Sequence, residues 1–257
     1  MAEYGYSGRQ LTKTRYAFHI GFGGGRMNKQ AGLTGELNEM RHARYGEERP
    51  SAPPNFQFEV VRSFPDDPYL FMHMVQFPAP GVQWVTMSLL SMEPGATGRI
   101  VHQVTNRQVE RDNPDFTRVA GTRALDAAAD TKETRAAVIG FVSQVLSGGN
   151  VAACADWLDR DCFITHNPYM LADYQGFVQF LDEEMSRVDA LRYVCISDVV
   201  AYHDFAAVFS VIDFRGHEYR ACDLFRVEDG KIVEHWDIAE RAVNQAPPGN
   251  DRSFMPL

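Results

Sequence analysis

Apolar and polar residues alternate with a period of two through FQFEVV (56–61) and LFMHMVQF (70–77). This pattern predicts half-buried strands at 56–63, 69–77 and 82–92. PGATG at 94–98 breaks the chain, and RIVHQVTNRQV predicts a fourth strand at 99–109. Residues 110–131 are first charged, then small and polar, which reads as a domain boundary with a short helix at 121–129. Upstream, TGELNEMRHARY (34–45) places Leu37 and Met40 at helical spacing behind a capping Thr34. RPSAPPN (49–55) reads as a linker. GFGGGR at 21–26 lacks the Lys-Ser/Thr ending of a P-loop and the strand that precedes a dinucleotide site, so it reads as a flexible turn.

In the second half the period lengthens. Val138, Phe141, Val142 and Val145 form one stripe and predict a helix over 132–148, ended by Gly148-Gly149-Asn150. A second short helix, 151–160, carries Trp157 and Leu158. CFITHNP predicts a short strand running into a turn at Asn167-Pro168. Phe177, Phe180, Leu181 and Met185 share a face of a third helix, 173–188. Strands follow at 191–199, 205–214, 217–227 and 231–240. Helices followed by four antiparallel strands is an α+β plan, with a pocket expected where the sheet curls around the helices.

A weak internal repeat aligns SLLSMEPGATGRIVHQVT with DLFRVEDGKIVEHWD, once an insertion in the turn is allowed. Gln103 then takes the place of His235, Thr105 that of Asp237 and Ser88 that of Asp223. The first copy keeps the strands and loses the ionisable set, so a structural role is expected for it. His73 and His102 there lack an acidic partner at the matching position.

The stretch Cys222–Asp237, CDLFRVEDGKIVEHWD, reads as a β-hairpin. A three-residue loop, Glu228-Asp229-Gly230, pairs Asp223 with His235 and puts Tyr219, Asp223, Phe225, Val233, His235 and Asp237 on one face. A two-residue Asp229-Gly230 turn puts Asp223 opposite Trp236 and splits the set. The first register is preferred, and Trp236 is expected on the outer face.

DLFRVEDGKIVEHWD (223–237), joined to THNPYM (165–170), resembles a SnoaL-like domain of the NTF2-like superfamily, particularly its polyketide-cyclase and aldol-condensation members. The resemblance covers residues 132–242 well and 34–109 faintly. It implies a cone built from a curved antiparallel sheet and three helices around a deep apolar pocket, and the internal repeat adds the expectation of two tandem copies. The resulting division is an arm at 1–30, a degenerate NTF2-like domain at 31–110, a linker at 111–131, a SnoaL-like domain at 132–245 and a tail at 246–257. In cyclases of this type a strand His and a following Asp do the chemistry. The Asp falls on Asp237, but the His falls on Asp223, a departure from the cyclase pattern. The family also holds isomerases, dehydratases, epoxide hydrolases and noncatalytic members, and a fold does not choose among them.

Asp237 in an apolar cone is the expected general base, because desolvation makes a carboxylate a better base for a carbon acid. The alternative is a buried Asp bound to a helix end or to Arg241. His166 is the candidate donor to an enolate oxygen. His235 and Asp223 form a candidate pair that orients Asp237 or meets substrate. Asn167, Tyr169, Tyr219, Phe225 and Phe177 are candidate substrate contacts, with turn capping and core packing as the alternatives.

The 257 residues carry a formal net charge of −9, which argues against nucleic acid or an anionic membrane as partner. No apolar run reaches membrane-spanning length, and the start, MAEYGYSGRQLTKTRY, shows no signal-peptide pattern. The four cysteines form no CxxC and read as reduced and mostly buried. A cytoplasmic protein without cofactor or metal is expected. His203, Asp204, Asp213 and His217 show no ligand spacing. The leading function is acid–base chemistry on a small apolar carbonyl compound: isomerisation, cyclisation or dehydration. Water-activating hydrolysis of an epoxide or ester, and noncatalytic binding, remain alternatives. A fused pair of cones leaves both a monomer and a homodimer open.

Overall fold

The computed structural model describes residues 57–79, 82–107 and 118–242. The expected arm at 1–30, helix at 34–45, linker at 49–55 and tail at 246–257 lie outside the described residues. The alternating segments of the first half form strands β1 (Gln57–Asp66), β2 (Tyr69–Ala79), β3 (Val82–Ser91) and β4 (Arg99–Arg107), in one antiparallel sheet of order β1-β2-β3-β4.

The helix expected at 121–129 does not form. The carbonyls that a helix would use internally are taken by side chains. Ala120 O accepts from Trp236 Nε1 at 2.9 Å and from Arg62 Nη2, and Thr122 O accepts from Arg62 Nε at 2.6 Å. Residues 118–123 therefore form a strap pinned from both sides.

Helix α1 (Thr131–Phe141) starts where Asp130 accepts a hydrogen bond from Lys132 N, and it runs on as a wider π turn over Val142–Leu146. After a 3₁₀ turn (Val151–Ala153), α2 (Cys154–Trp157) is shorter than the expected 151–160. The chain is drawn off toward the sheet there, with Asp159 N donating to Ile232 O at 3.0 Å. α3 (Tyr174–Met185) is capped by Asp173, which accepts from Gly176 N.

The second sheet has the order β5-β9-β8-β7-β6. β6 (Arg192–Tyr202), β7 (Phe205–Phe214), β8 (His217–Glu228) and β9 (Lys231–Arg241) are an antiparallel meander, as β1–β4 are. The short β5 (Ile164–Thr165) adds a parallel edge to β9. Helices on one face and strands in a meander make this half α+β.

The β8–β9 turn has two residues. Asp229 (φ 47°) and Gly230 (φ 74°) are both left-handed, the geometry that follows the strand twist in a tight hairpin. Glu228 pairs with Lys231. A bulge between Arg226 and Val227 then shifts the register, so that Asp223 faces Asp237 and Phe225 faces His235. The expected Asp223–His235 cross-strand pairing is therefore incorrect. The bulge nevertheless restores the shared face that a plain two-residue turn would have split. Ile232 rather than Val233 points into the helix-side core.

The second sheet is covered on both faces. Phe141, Phe163, Phe177, Phe225 and Ile232 form the core against the helices. On the other face Phe205, Phe209, Leu224, Trp236 and Ile238 pack against Phe64, Phe71, Met87 and Leu89 of the first sheet. Trp236 is thus an outward residue of its own sheet and is completely buried by the other. The first sheet lies on the side away from the helices.

Candidate functional site

Between the helices and the inner face of the second sheet lies a cavity of about 30 Å³, enough for one or two water molecules. Phe177, Leu181, Leu191 and Ile212 supply apolar wall, while Asp223, His235, Asp237 and Tyr193 supply the polar groups. Met170 and Phe180 also line it and are partly exposed.

Asp223 and Asp237 sit directly opposite each other, and both are buried. Facing like charges destabilise a strand pair, so this arrangement needs compensation. Asp223 has it. It accepts from Tyr193 Oη at 3.3 and 3.2 Å and from His235 Nε2 at 3.1 Å. The other ring nitrogen, Nδ1, lies 3.0 Å from Thr165 Oγ1, and Thr165 Oγ1 accepts from Asn167 N. His235 is wedged between Phe225, stacked at 5.0 Å, and the edge of Phe177 at 5.1 Å. The chain Asn167–Thr165–His235–Asp223–Tyr193 is thus continuous, and its orientation is fixed by packing.

Asp237 is less satisfied. Its Oδ2 accepts from Asn167 Nδ2 at 3.0 Å, and its Oδ1 is buried without a partner. Burial pushes its carboxyl above the ordinary value of 3.8, and Asp223 pushes the same way. His235, Arg118 and the Asn167 hydrogen bond oppose that rise. Burial raises the Tyr193 hydroxyl far above its usual range, with Asp223 and Asp237 adding to it, so it is a proton donor at any ordinary pH. The cavity thus holds an underbonded carboxylate and a phenol held by a carboxylate–imidazole pair.

The structure brings Asp237, Asp223, His235 and Phe177 to this cavity and holds Asn167 against Asp237. It separates His166 from them. His166 lies on the opposite face, stacked on Trp236 at 4.8 Å, with Nε2 3.1 Å from Glu234 Oε1. Strand alternation is the reason: Thr165 and His235 point inward, so their neighbours His166 and Glu234 point outward. The expected enolate-donor role for His166 is corrected accordingly. Tyr219 and Phe225 belong to the helix-side core, and Tyr169 lies under the Arg118 guanidinium at 5.3 Å; none of the three lines the cavity.

Tyr193 and Thr165 escaped the sequence reading. β6 has register irregularities between Tyr193 and Cys195 and between Ile196 and Asp198, which hide the alternation that would have put Tyr193 inward. Arg118 and Glu234 were also missed. They belong to a second buried polar group behind the sheet, where Glu234 accepts from His166, Thr122 N and Arg226 Nε. Burial raises the Glu234 carboxyl, but those hydrogen bonds outweigh it and bring it to about 2. His73 there accepts from Arg62 Nη1 at 3.2 Å on Nδ1, and burial lowers its pKa. His102 pairs with Asp198 across the two sheets at 2.5 Å, an acidic partner from β6 rather than from its own hairpin. Of the cysteines, Cys154 and Cys222 are buried and Cys162 and Cys195 exposed, so the expectation of mostly buried thiols holds for only half. Among the described residues no helix is long and apolar enough to cross a membrane.

Residues 138–235 match the family described as SnoaL-like domain. No curated protein matches the chain. Among solved structures, a proposed ketosteroid isomerase from Kribbella flavida DSM 17836 is 19% identical, covers 51% of this chain and 94% of its own, and superposes with a TM-score of 0.40. A proposed polyketide cyclase, IdmH, from Streptomyces antibioticus is 19% identical over 42% of this chain and 91% of its own, with a TM-score of 0.36. A LEH-like epoxide hydrolase from M. tuberculosis is 18% identical over 43% of this chain and 84% of its own, also at 0.36.

Proposed function

We propose that this protein is a cofactor-independent acid–base enzyme acting on a small, mainly apolar carbonyl compound, of the isomerase, cyclase or dehydratase kind. The observation that carries the reading is the buried, unpartnered Oδ1 of Asp237 in the wall of an apolar cavity that also holds the Tyr193 hydroxyl. Asp237 takes a proton from the carbon next to the carbonyl. Tyr193, released from Asp223, donates to the developing enolate oxygen, where a donor in a dry site is worth most. Asn167 aims the carboxylate, and the His235–Asp223 pair holds Tyr193 ready. Substrate admission requires Met170 and Phe180 to move aside, since the closed cavity is water-sized. SnoaL-like relatedness over residues 138–235 supports small-molecule chemistry of this type.

The test is solvent-deuterium exchange into a panel of β-keto and enone compounds. Wild type exchanges the α-proton of at least one. Asp237→Asn lowers the rate about 100-fold or more, the usual contribution of a general base. Tyr193→Phe lowers turnover while leaving the base's acid limb in place. Because the Asp237 pKa is raised, activity is present above that pKa and is lost as pH falls through it, at a point above 3.8. Undiminished exchange by the Asp237→Asn variant sinks the proposal.

A second reading rests on the water-sized space beside Asp237 Oδ1: a hydrolase in which that carboxylate activates water on an epoxide or ester. Incorporation of labelled solvent oxygen into product separates it from carbon-acid chemistry.

A further inference from the structure

The strap at 118–123 delivers one cation to the back of the site. Arg118 is 1% exposed. β5 stops at Thr165, and His166 N takes the β9 edge carbonyl of His235 at 2.7 Å. Past that point Arg118 Nε donates to the Asp237 carbonyl at 3.2 Å. Nη1 has no hydrogen-bond partner, and among the described residues no carboxylate forms an ion pair with this guanidinium. A buried charge acts strongly on nearby ionisable groups.

We propose that Arg118 is a positioning residue for Asp237. It fixes the β9 main chain that carries the carboxylate and brings a buried positive charge close to Asp237, and the first sheet is the clamp that keeps it there. The clamp is visible in the contacts. Arg62 of β1 holds the Ala120 and Thr122 carbonyls, Trp236 holds Ala120, and Glu234 holds Thr122 N. Gly121 passes so close to the His166–Glu234 pair, with φ at +81°, that a Cβ there would lie 2.5 Å from both side chains. The strap has no slack in which Arg118 can drift.

The titratable groups around Asp237 come from several elements. Asp223 and Cys222 lie on β8, Tyr193 on β6, His235 on β9 and Arg118 on the strap; α3 presents only apolar wall here. Arg118 and His235 are the groups that favour the carboxylate, against burial and Asp223. Fusion of the first sheet to the SnoaL-like segment thus bears on the base through the strap as well as on stability. The assignment deepens the reading of Asp237 as the base, but its test does not depend on turnover.

The full chain is labelled at the aspartate carboxyl carbon, and Asp237 is assigned by its loss in Asp237→Asn. Its titration midpoint is followed in wild type, Arg118→Met, Arg118→Lys and Arg62→Met. Arg118→Met moves the midpoint up by about one unit, at the lower end of what a close opposite charge produces. Arg118→Lys stays near wild type because it keeps the charge, and Arg62→Met moves part of the way because it loosens the strap. A wild-type midpoint in folded Arg118→Met, or an equal rise in Arg118→Lys, overturns the assignment. If Arg118→Met does not fold, Arg62→Met decides: a rise supports the clamp and no rise overturns it. A midpoint that moves while Asp237→Asn keeps its exchange activity leaves the electrostatic role standing and removes the catalytic one.

Discussion

Glu234→Gln isolates the electrostatic part of the interface behind the site. Glu234 is buried, with 6% of its surface exposed, and its carboxyl titrates near 2 instead of 4.5 because hydrogen bonds from His166, Thr122 and Arg226 outweigh its desolvation. A depressed acid contributes stability that is fully present well above 4.5 and is lost as pH falls through 2. The difference of about 2.5 units corresponds to about 3.4 kcal/mol at neutral pH, at about 1.36 kcal/mol per unit. At pH 3.5 the unfolded carboxyl is mostly protonated and the native one is not, so the same linkage leaves about 2 kcal/mol. The glutamine keeps the shape and one acceptor but not the charge that faces Arg226. Urea unfolding of wild type and variant at both pH values reads the gap directly, with equal slopes confirming comparable transitions. Expected is a loss of about 3 kcal/mol at neutral pH, about 1.4 kcal/mol smaller at pH 3.5. A gap under about 1 kcal/mol at neutral pH, as for an exposed pair, or one that does not shrink on acidification, refutes the reasoning.

Gly121→Ala forces a left-handed backbone on a residue with a Cβ and drives that atom into Glu234 and His166; a loss of about 2 kcal/mol or more in thermal or urea unfolding is expected, and a near-neutral result shows that the strap can yield. Phe177→Ala removes a ring that touches Phe141, Phe163 and His235 and lines the cavity. It should cost about 3–5 kcal/mol and open the cavity to small apolar probes, with chemical-shift changes at Leu181 and Ile212 on benzene binding as the readout. An unchanged melting temperature would mean that the site collapses around the lost ring.

Strand and helix periods locate the elements of this protein. β7 falls where the alternation puts it, and the apolar stripes place α1 and α3, whose caps Asp130 and Asp173 the structure supplies. That His235 and Asp237 share a face is legible for the same local reason, because period two settles which residues of β9 point the same way; whether Asp223 of β8 joins them depends on the hairpin register. That register was not legible. The bulge that brings Asp223 opposite Asp237 is a choice of one extra residue, which the turn sequence alone does not specify. The His166 assignment failed because a loop-edge imidazole beside a turn looks the same from sequence whichever face it takes. Only the parallel pairing of β5 with β9 sends it outward.

The sequence by itself determined the eight long strands, the helices around 131–146 and 174–185, their α+β order, and the shared face of His235 and Asp237, since these depend on periods within a few residues. The tertiary structure decided what surrounds that pair. Tyr193 reaches Asp223 from 30 positions away, and Arg118 reaches the Asp237 carbonyl from 119. Packing of the first sheet turns Trp236 from an outer-face residue into core. Contacts between distant segments depend on how whole sheets stack and on where a strand bulges. Those choices are settled by the burial of both faces at once, and no local stretch of chain contains them.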